Sequence, residues 1–122
     1  MTAEDFNRFC GSFAATSHVV QWGGANVWKV GGKVFAVGGW QDAGAPLAVT
    51  FKCSEMGYEI LRDTPGCRPA PYLASRGMKW IQRYEASGID DAGLRDYVSE
   101  SYRLVALGLS KKKRIELGIE VE

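Results

Sequence analysis

The segment from Val27 to Val37 constrains the fold of this chain more than any other, because two apolar-rich runs meet there at the pair Gly31-Gly32. Paired glycines supply the positive φ angles of a two-residue hairpin turn, so antiparallel β-structure is dictated locally. Counting outward from the turn pairs Val30 with Lys33 and Trp28 with Phe35 on one face, and turns Lys29, Val34 and Ala36 to the other. A short strand, Ser17 to Gln21, precedes the hairpin and is broken off by Gly23-Gly24-Ala25-Asn26. After a polar turn from Gln41 to Pro46, Leu47, Val49, Phe51 and Cys53 alternate with Ala48, Thr50 and Lys52, the pattern of a half-buried strand. Met78 to Tyr84 alternates in the same way. Between them, Thr64 to Pro71 holds Pro65, Pro69 and Pro71, which excludes helix and central strand and predicts a rigid loop.

Helical spacing frames these strands. Phe6, Phe9, Cys10 and Phe13 lie on one face of an amphipathic helix over about residues 3 to 14, with Thr2 as its N-cap. Ser54 caps a helix of about ten residues that turns Met56, Ile60 and Leu61 inward. Asp90 or Asp91 starts the longest helix, which carries Leu94, Tyr97, Val98, Ser101, Tyr102, Val105 and Leu109 along one stripe. Hairpin-linked strands among such helices predict an α+β fold of two layers: an antiparallel sheet with N-terminal, middle and C-terminal helices packed on it. The 122 residues suffice for a single domain, 1–122, with its core over about 6–109. Residues 110–122 read as a tail, basic at first and then mixed, with one or two helical turns after Ile115.

Several function classes lack their parts. Cys10, Cys53 and Cys67 are widely spaced and odd in number, which argues for reduced thiols over disulfides or a zinc site. His18 is the lone histidine, so triads and multi-histidine metal sites are incomplete, and neither GxxxxGK[ST] nor GxGxxG occurs. Ser101 reads as a buried helix hydroxyl bonded back to a carbonyl, not a nucleophile. No catalytic residue, metal ligand or cofactor is expected, and the protein is read as a non-enzyme. The acidic start and the lack of a long apolar run predict neither a secretory signal nor a membrane span, hence a cytoplasmic protein.

The hairpin Trp28-Lys29-Val30-Gly31-Gly32-Lys33-Val34-Phe35-Ala36, the strand end Phe51-Lys52-Cys53-Ser54, Pro69-Ala70-Pro71-Tyr72, Met78-Lys79-Trp80-Ile81 and Ser101-Tyr102-Arg103-Leu104-Val105 follow one another in an order that resembles the MmcQ/YjbR family. The resemblance runs from about Phe6 to Arg114. It implies a compact, bacterial-type α+β domain similar in outline to CyaY-like folds. Members are often labelled DNA-binding for a double-wing arrangement, and the family carries no established catalytic residues to transfer. CyaY-like iron binding would need an acidic ridge, and the first helix offers only Glu4 and Asp5, offset by Arg8.

Two roles then compete. Net charge is only +1, but the charges are unevenly spread. Lys29, Lys33, Lys52, Arg76, Lys79, Arg83, Lys111, Lys112, Lys113 and Arg114 are the candidate phosphate contacts for a DNA partner, with Tyr72 or Trp40 available to stack on a base. A solvated face and tail explain the same charges more blandly, and no recognition-helix motif is present. The alternative is a non-catalytic protein- or small-ligand-binding module, whose groove would lie between the sheet surface and the loop Pro65 to Gly77 and be lined by Tyr72, Leu73 and Trp80. The first role expects the basic residues to converge; the second expects an exposed apolar patch near Tyr72.

Overall fold

A computed structural model describes residues 1–71 and 77–121. Helix α1 (Ala3–Gly11) begins at Thr2, whose hydroxyl accepts from the Asp5 amide at 3.0 Å. It stops at Gly11, short of the expected residue 14, although Phe13 still packs on the core. Strands β1 (Thr16–Gln21), β2 (Ala25–Val30), β3 (Lys33–Gly38) and β4 (Val49–Lys52) follow. Helix α2 (Glu55–Leu61) is capped by Ser54, and the short β5 (Cys67–Pro69) and β6 (Trp80–Arg83) come next. Helix α3 (Asp91–Leu107), capped by Asp90, leads into α4 (Lys111–Leu117). All strand pairings are antiparallel, in the order β1-β2-β3-β4-β6-β5. This is the α+β, antiparallel-sheet architecture that the sequence predicts.

One layer of helices covers one face. Phe6 and Cys10 of α1 and Leu94, Val98, Tyr102 and Val105 of α3 meet Trp28, Val30, Phe35, Ala36, Phe51 and Ile81 of the sheet in a single core. Phe13 stacks on Tyr102 at 4.6 Å, and Tyr102 meets Phe35 edge-on at 5.4 Å. On the opposite face Ala25, Val27 and Val37 form a second, smaller cluster with Val34 and Trp40 packed against it.

Six expectations are corrected. The hairpin register holds for Val30 with Lys33 and for Lys29 with Val34, but Trp28 then pairs with Ala36, so Phe35 is an extra, bulged residue. The bulge puts Phe35 and Ala36 together in the helix-side core, where strict alternation would separate them. Strand β2 starts at Ala25, where a break was expected. Strand β4 is buried on both faces, Thr50 as well as Val49 and Phe51, because it lies inside the sheet between β3 and β6. On α2, seven residues long, Tyr58 and Leu61 point inward, and Met56 and Ile60 are exposed. The proline loop contributes β5, an edge strand of three residues ending at Pro69, which is where a strand tolerates proline. Finally, the basic run is no tail. It forms the first turns of α4, and Leu117, Ile119 and Val121 return to the core.

Candidate functional site

The hairpin turn Gly31-Gly32 marks one end of the sheet, and the antiparallel registers decide which residues share that end. Strand β4 runs against β3, which brings Lys52 toward the turn, and Lys52 pairs with Trp80 at the start of β6. The Cys53 amide donates to the Lys79 carbonyl at 2.8 Å, so Lys79 is there as well. Helix α3 runs the same way, ending at Gly108, whose carbonyl accepts from Lys33 Nζ at 3.2 Å. Helix α4 is packed on the turn itself: a Cβ at Gly31 would sit 2.6 Å from a Leu109 methyl and 3.2 Å from Leu117. Lys29, Lys33, Lys52, Lys79, Lys111, Lys112, Lys113 and Arg114 therefore surround one end of the sheet. They surround an end, on both sides of the sheet, and do not form a single flat face.

Their environments differ. Lys111, Lys112 and Lys113 are exposed, and no acid lies in the first turn of α4 to balance them. A helix N-terminus carries partial positive charge, so three lysines there weaken the helix. Lys79 holds its ammonium 4.9 Å from the centre of the Tyr58 ring, a cation–π contact. Arg103, on α3, pairs with Glu100.

Arg83 does not belong to this group. It is 3% exposed, donates to the Ile89 carbonyl at 3.0 Å and pairs with Asp91 at 3.0 Å, at the opposite end of the sheet. There the N-terminal ammonium also meets Asp91, at 3.0 Å. That ammonium, and after it Arg83, hold the Asp91 carboxyl below the usual aspartate range. Glu4 and Asp5 lie at the same end with Arg8 bound to both. The expected phosphate contact at Arg83 is thus a buried structural cation. Arg76, Tyr72 and Leu73 lie outside the described residues. Trp80 is buried and offers no exposed groove wall.

The face away from the helices carries a second feature. Val27, Val37, Thr50, Gln82 and Arg68 stand directly opposite one another across five strands, forming one row. Arg68 Nε donates to Gln82 Oε1 at 2.8 Å, and its guanidinium lies 4.8 Å from the Tyr84 ring centre. That bond fixes the amide orientation and leaves Gln82 Nε2 as a donor without a partner. Thr50 Oγ1 and Trp80 Nε1 are also buried without partners. Natural interiors contain few such groups, and three on adjacent positions of β4 and β6 call for an explanation. The sequence pattern placed Thr50 on the polar side of a half-buried strand. The large aromatics two positions either side of Gln82, Trp80 and Tyr84, mark that face as packed.

Ser101 was expected to bond back within its own helix. It reaches across to the sheet instead, donating to the Phe35 carbonyl at 2.7 Å and accepting from the Lys52 amide at 2.8 Å. His18 Nε2 lies 2.9 Å from Asn26 Oδ1, and its ring stacks on Trp28 at 4.9 Å. Among the described residues no three His, Cys, Asp or Glu side chains are grouped to hold a metal ion. No helix among the described residues is long and apolar enough to cross a membrane.

The comparisons with known proteins agree on the fold. The YjbR family model matches residues 11–104. A crystal structure of the Deinococcus radiodurans protein DR2400, described as a DUF419 domain, superposes with a TM-score of 0.81 at 22% identity, covering 98% of this chain and 89% of that one. Among curated proteins nothing matches.

Proposed function

The chain belongs to the YjbR family, and from that premise we propose that it binds the phosphate backbone of nucleic acid, without reading base sequence, through the basic end of its sheet. The observation that carries this is the gathering of Lys29, Lys33, Lys52, Lys79 and the Lys111–Arg114 run around the hairpin turn. The role is binding and not catalysis. Phosphate contacts supply affinity that is independent of sequence and steeply dependent on salt. Four such contacts weaken binding about a hundred-fold between roughly 50 and 200 mM salt. Fluorescence anisotropy with labelled double- and single-stranded DNA reads this directly. Replacing Lys111, Lys112 and Lys113 by Gln lowers the salt slope by about three. Absence of binding even at the lower salt overturns the proposal.

A second reading rests on the buried polar row. Gln82 Nε2, Trp80 Nε1 and the Thr50 hydroxyl are buried without hydrogen-bond partners, and a small molecule carrying carbonyl or carboxylate oxygens would satisfy them. Thr50→Val separates this from an idle hydroxyl. If Thr50 has no partner in solution, the nearly isosteric valine stabilises the protein by about 1 kcal/mol; if a bound molecule uses it, stability falls by a similar amount. Urea unfolding measures the sign, and native mass spectrometry of the purified protein identifies any small molecule retained.

A further inference from the structure

The two edges of the sheet are built very differently. Strand β5 is three residues long and ends in Pro69, a protected edge. Strand β1 at the other edge has six residues, and Ser17, His18, Val19 and Val20 are all exposed. Val19 and Val20 are 38% and 59% exposed, and Trp22 just beyond the strand is 50% exposed. Proteins commonly shield such an edge with lysines, prolines, inward charges or a bulge. None of these is present on β1, which pairs with β2 in unbroken register. From Phe9 to Trp28 there is no Asp, Glu, Lys, Arg or Pro at all. The one titratable side chain on β1, His18, is engaged with Asn26 and Trp28. Ala15 and Trp22 adopt left-handed backbone, with φ of 58° and 55°, so the chain turns sharply at both ends of the exposed strand.

We propose that β1 is a dimer interface, where a second copy of this chain adds its own β1 antiparallel and joins the two sheets into one. Antiparallel pairing is the geometry that lets a strand meet its own copy across a two-fold axis, with the same patch used twice. An axis normal to the sheet keeps the helices of both copies on one side. Only registers that oppose residues of the same face then satisfy it. His18 shares the helix side with Trp28, so Val19 lies on the open face. The register centred on Val19 uses Ser17 through Gln21 of each copy. It sets Val19 against Val19, His18 against Val20 and Ser17 against Gln21. No charge opposes a like charge in this register, and main-chain hydrogen bonds complete the ladder. A foreign strand would find the same backbone; the uncharged, self-matching row of side chains is what favours a second copy.

The interface is small, so association is expected in the micromolar range. Light scattering coupled to size exclusion, on the full chain over about 5 to 500 µM, should show the mass rising toward that of a dimer. Val19→Lys should keep the protein monomeric throughout with an unchanged near-UV circular dichroism spectrum. Val19→Cys gives the positive signal, because the native thiols Cys10, Cys53 and Cys67 are all buried. Mild oxidation should link Val19→Cys into a covalent dimer at least ten-fold faster than Met56→Cys, which places a thiol on exposed α2. A monomer at every concentration overturns the proposal. So does a dimer that survives Val19→Lys, or equal cross-linking of the two cysteine variants.

Discussion

Replacing Ser101 by alanine tests how the bulge in β3 is held. The bulged Phe35 interrupts the ladder, and Ser101 supplies hydrogen bonds where the sheet is irregular: its hydroxyl donates to Phe35 O at 2.7 Å and accepts from Lys52 N at 2.8 Å. The side chain is fully buried. Ser101→Ala therefore strands one carbonyl and one amide where water has no ready access. Each orphaned group costs about 1–3 kcal/mol, with partial relaxation expected on both sides of the gap. The sum, about 2–4 kcal/mol, is a large share of the ~5–15 kcal/mol that stabilises a domain of this size. Urea denaturation should show a lower midpoint at unchanged slope, and the melting temperature should fall by about 10–15 °C. The control is Ser99→Ala on the same helix, whose hydroxyl donates only to Arg95 O and whose loss stays within about 0.5 kcal/mol. A change below about 1 kcal/mol for Ser101→Ala would refute the idea that this hydroxyl pins helix to sheet.

Two further outcomes follow from the buried groups. Burial pushes the Cys53 thiol up to about 12 and Cys67 to about 11, with Arg83 pulling the latter back slightly; Cys10 is raised further still. At pH 8 a thiol reagent such as Ellman's should find all three inert in the folded protein and all three reactive in urea; one fast-reacting equivalent under native conditions would contradict this burial. Asp91, whose folded pKa is depressed, contributes stability that is complete above the ordinary carboxylate value of about 4 and lost as pH falls through its lower folded value. Asp91→Asn should cost about 1–2 kcal/mol near pH 7, discounted because Asp91 is partly exposed, and should flatten the acid limb of the stability curve. An unchanged acid limb, measured by urea unfolding from pH 7 to 3, would count against the Asp91 pairings.

The elements that the sequence made legible are those with a local cause. Gly31-Gly32 specifies a two-residue turn wherever it is placed, and Thr2, Ser54 and Asp90 cap their helices through bonds spanning three residues. What failed to show was set by distant partners. The bulge at Phe35 depends on Ser101, 66 residues away, which no count outward from a turn can anticipate. Arg83 reads as one more cation in a basic stretch until Asp91 and the Ile89 carbonyl are brought against it. Met56 and Ile60 face solvent because the helix rotates to bury Tyr58 and Leu61, and a helix of two turns carries too few residues for spacing to decide between those faces. The candidate site lay between these cases: its residues were visible one by one, and only the β4–β6 register and the docking of α4 on the hairpin turn bring them to one end.

The placement of Lys111, Lys112 and Lys113 costs the fold stability, and that cost offers a test of the proposed phosphate binding. A helix of seven residues is marginal by itself, and its first turn favours acids. Each lysine there costs roughly 0.3–1 kcal/mol at low salt, and Lys33 stands nearby on the hairpin. The helix is held despite this. Ser110 accepts from the Lys113 amide, and Gly118 in left-handed backbone closes the other end, with Ile119 N donating to Arg114 O at 2.9 Å. Leu117 and the buried Ile119 then tie it to the core. Stability is thus supplied from the C-terminal half of α4 and given up at its N-terminal half. An anion bound near Lys111–Lys113 would reverse that loss, since it would offset both the lysines and the helix dipole. Polyanions should therefore raise the melting temperature of the native protein, and the gain should shrink when these three lysines are replaced by glutamine.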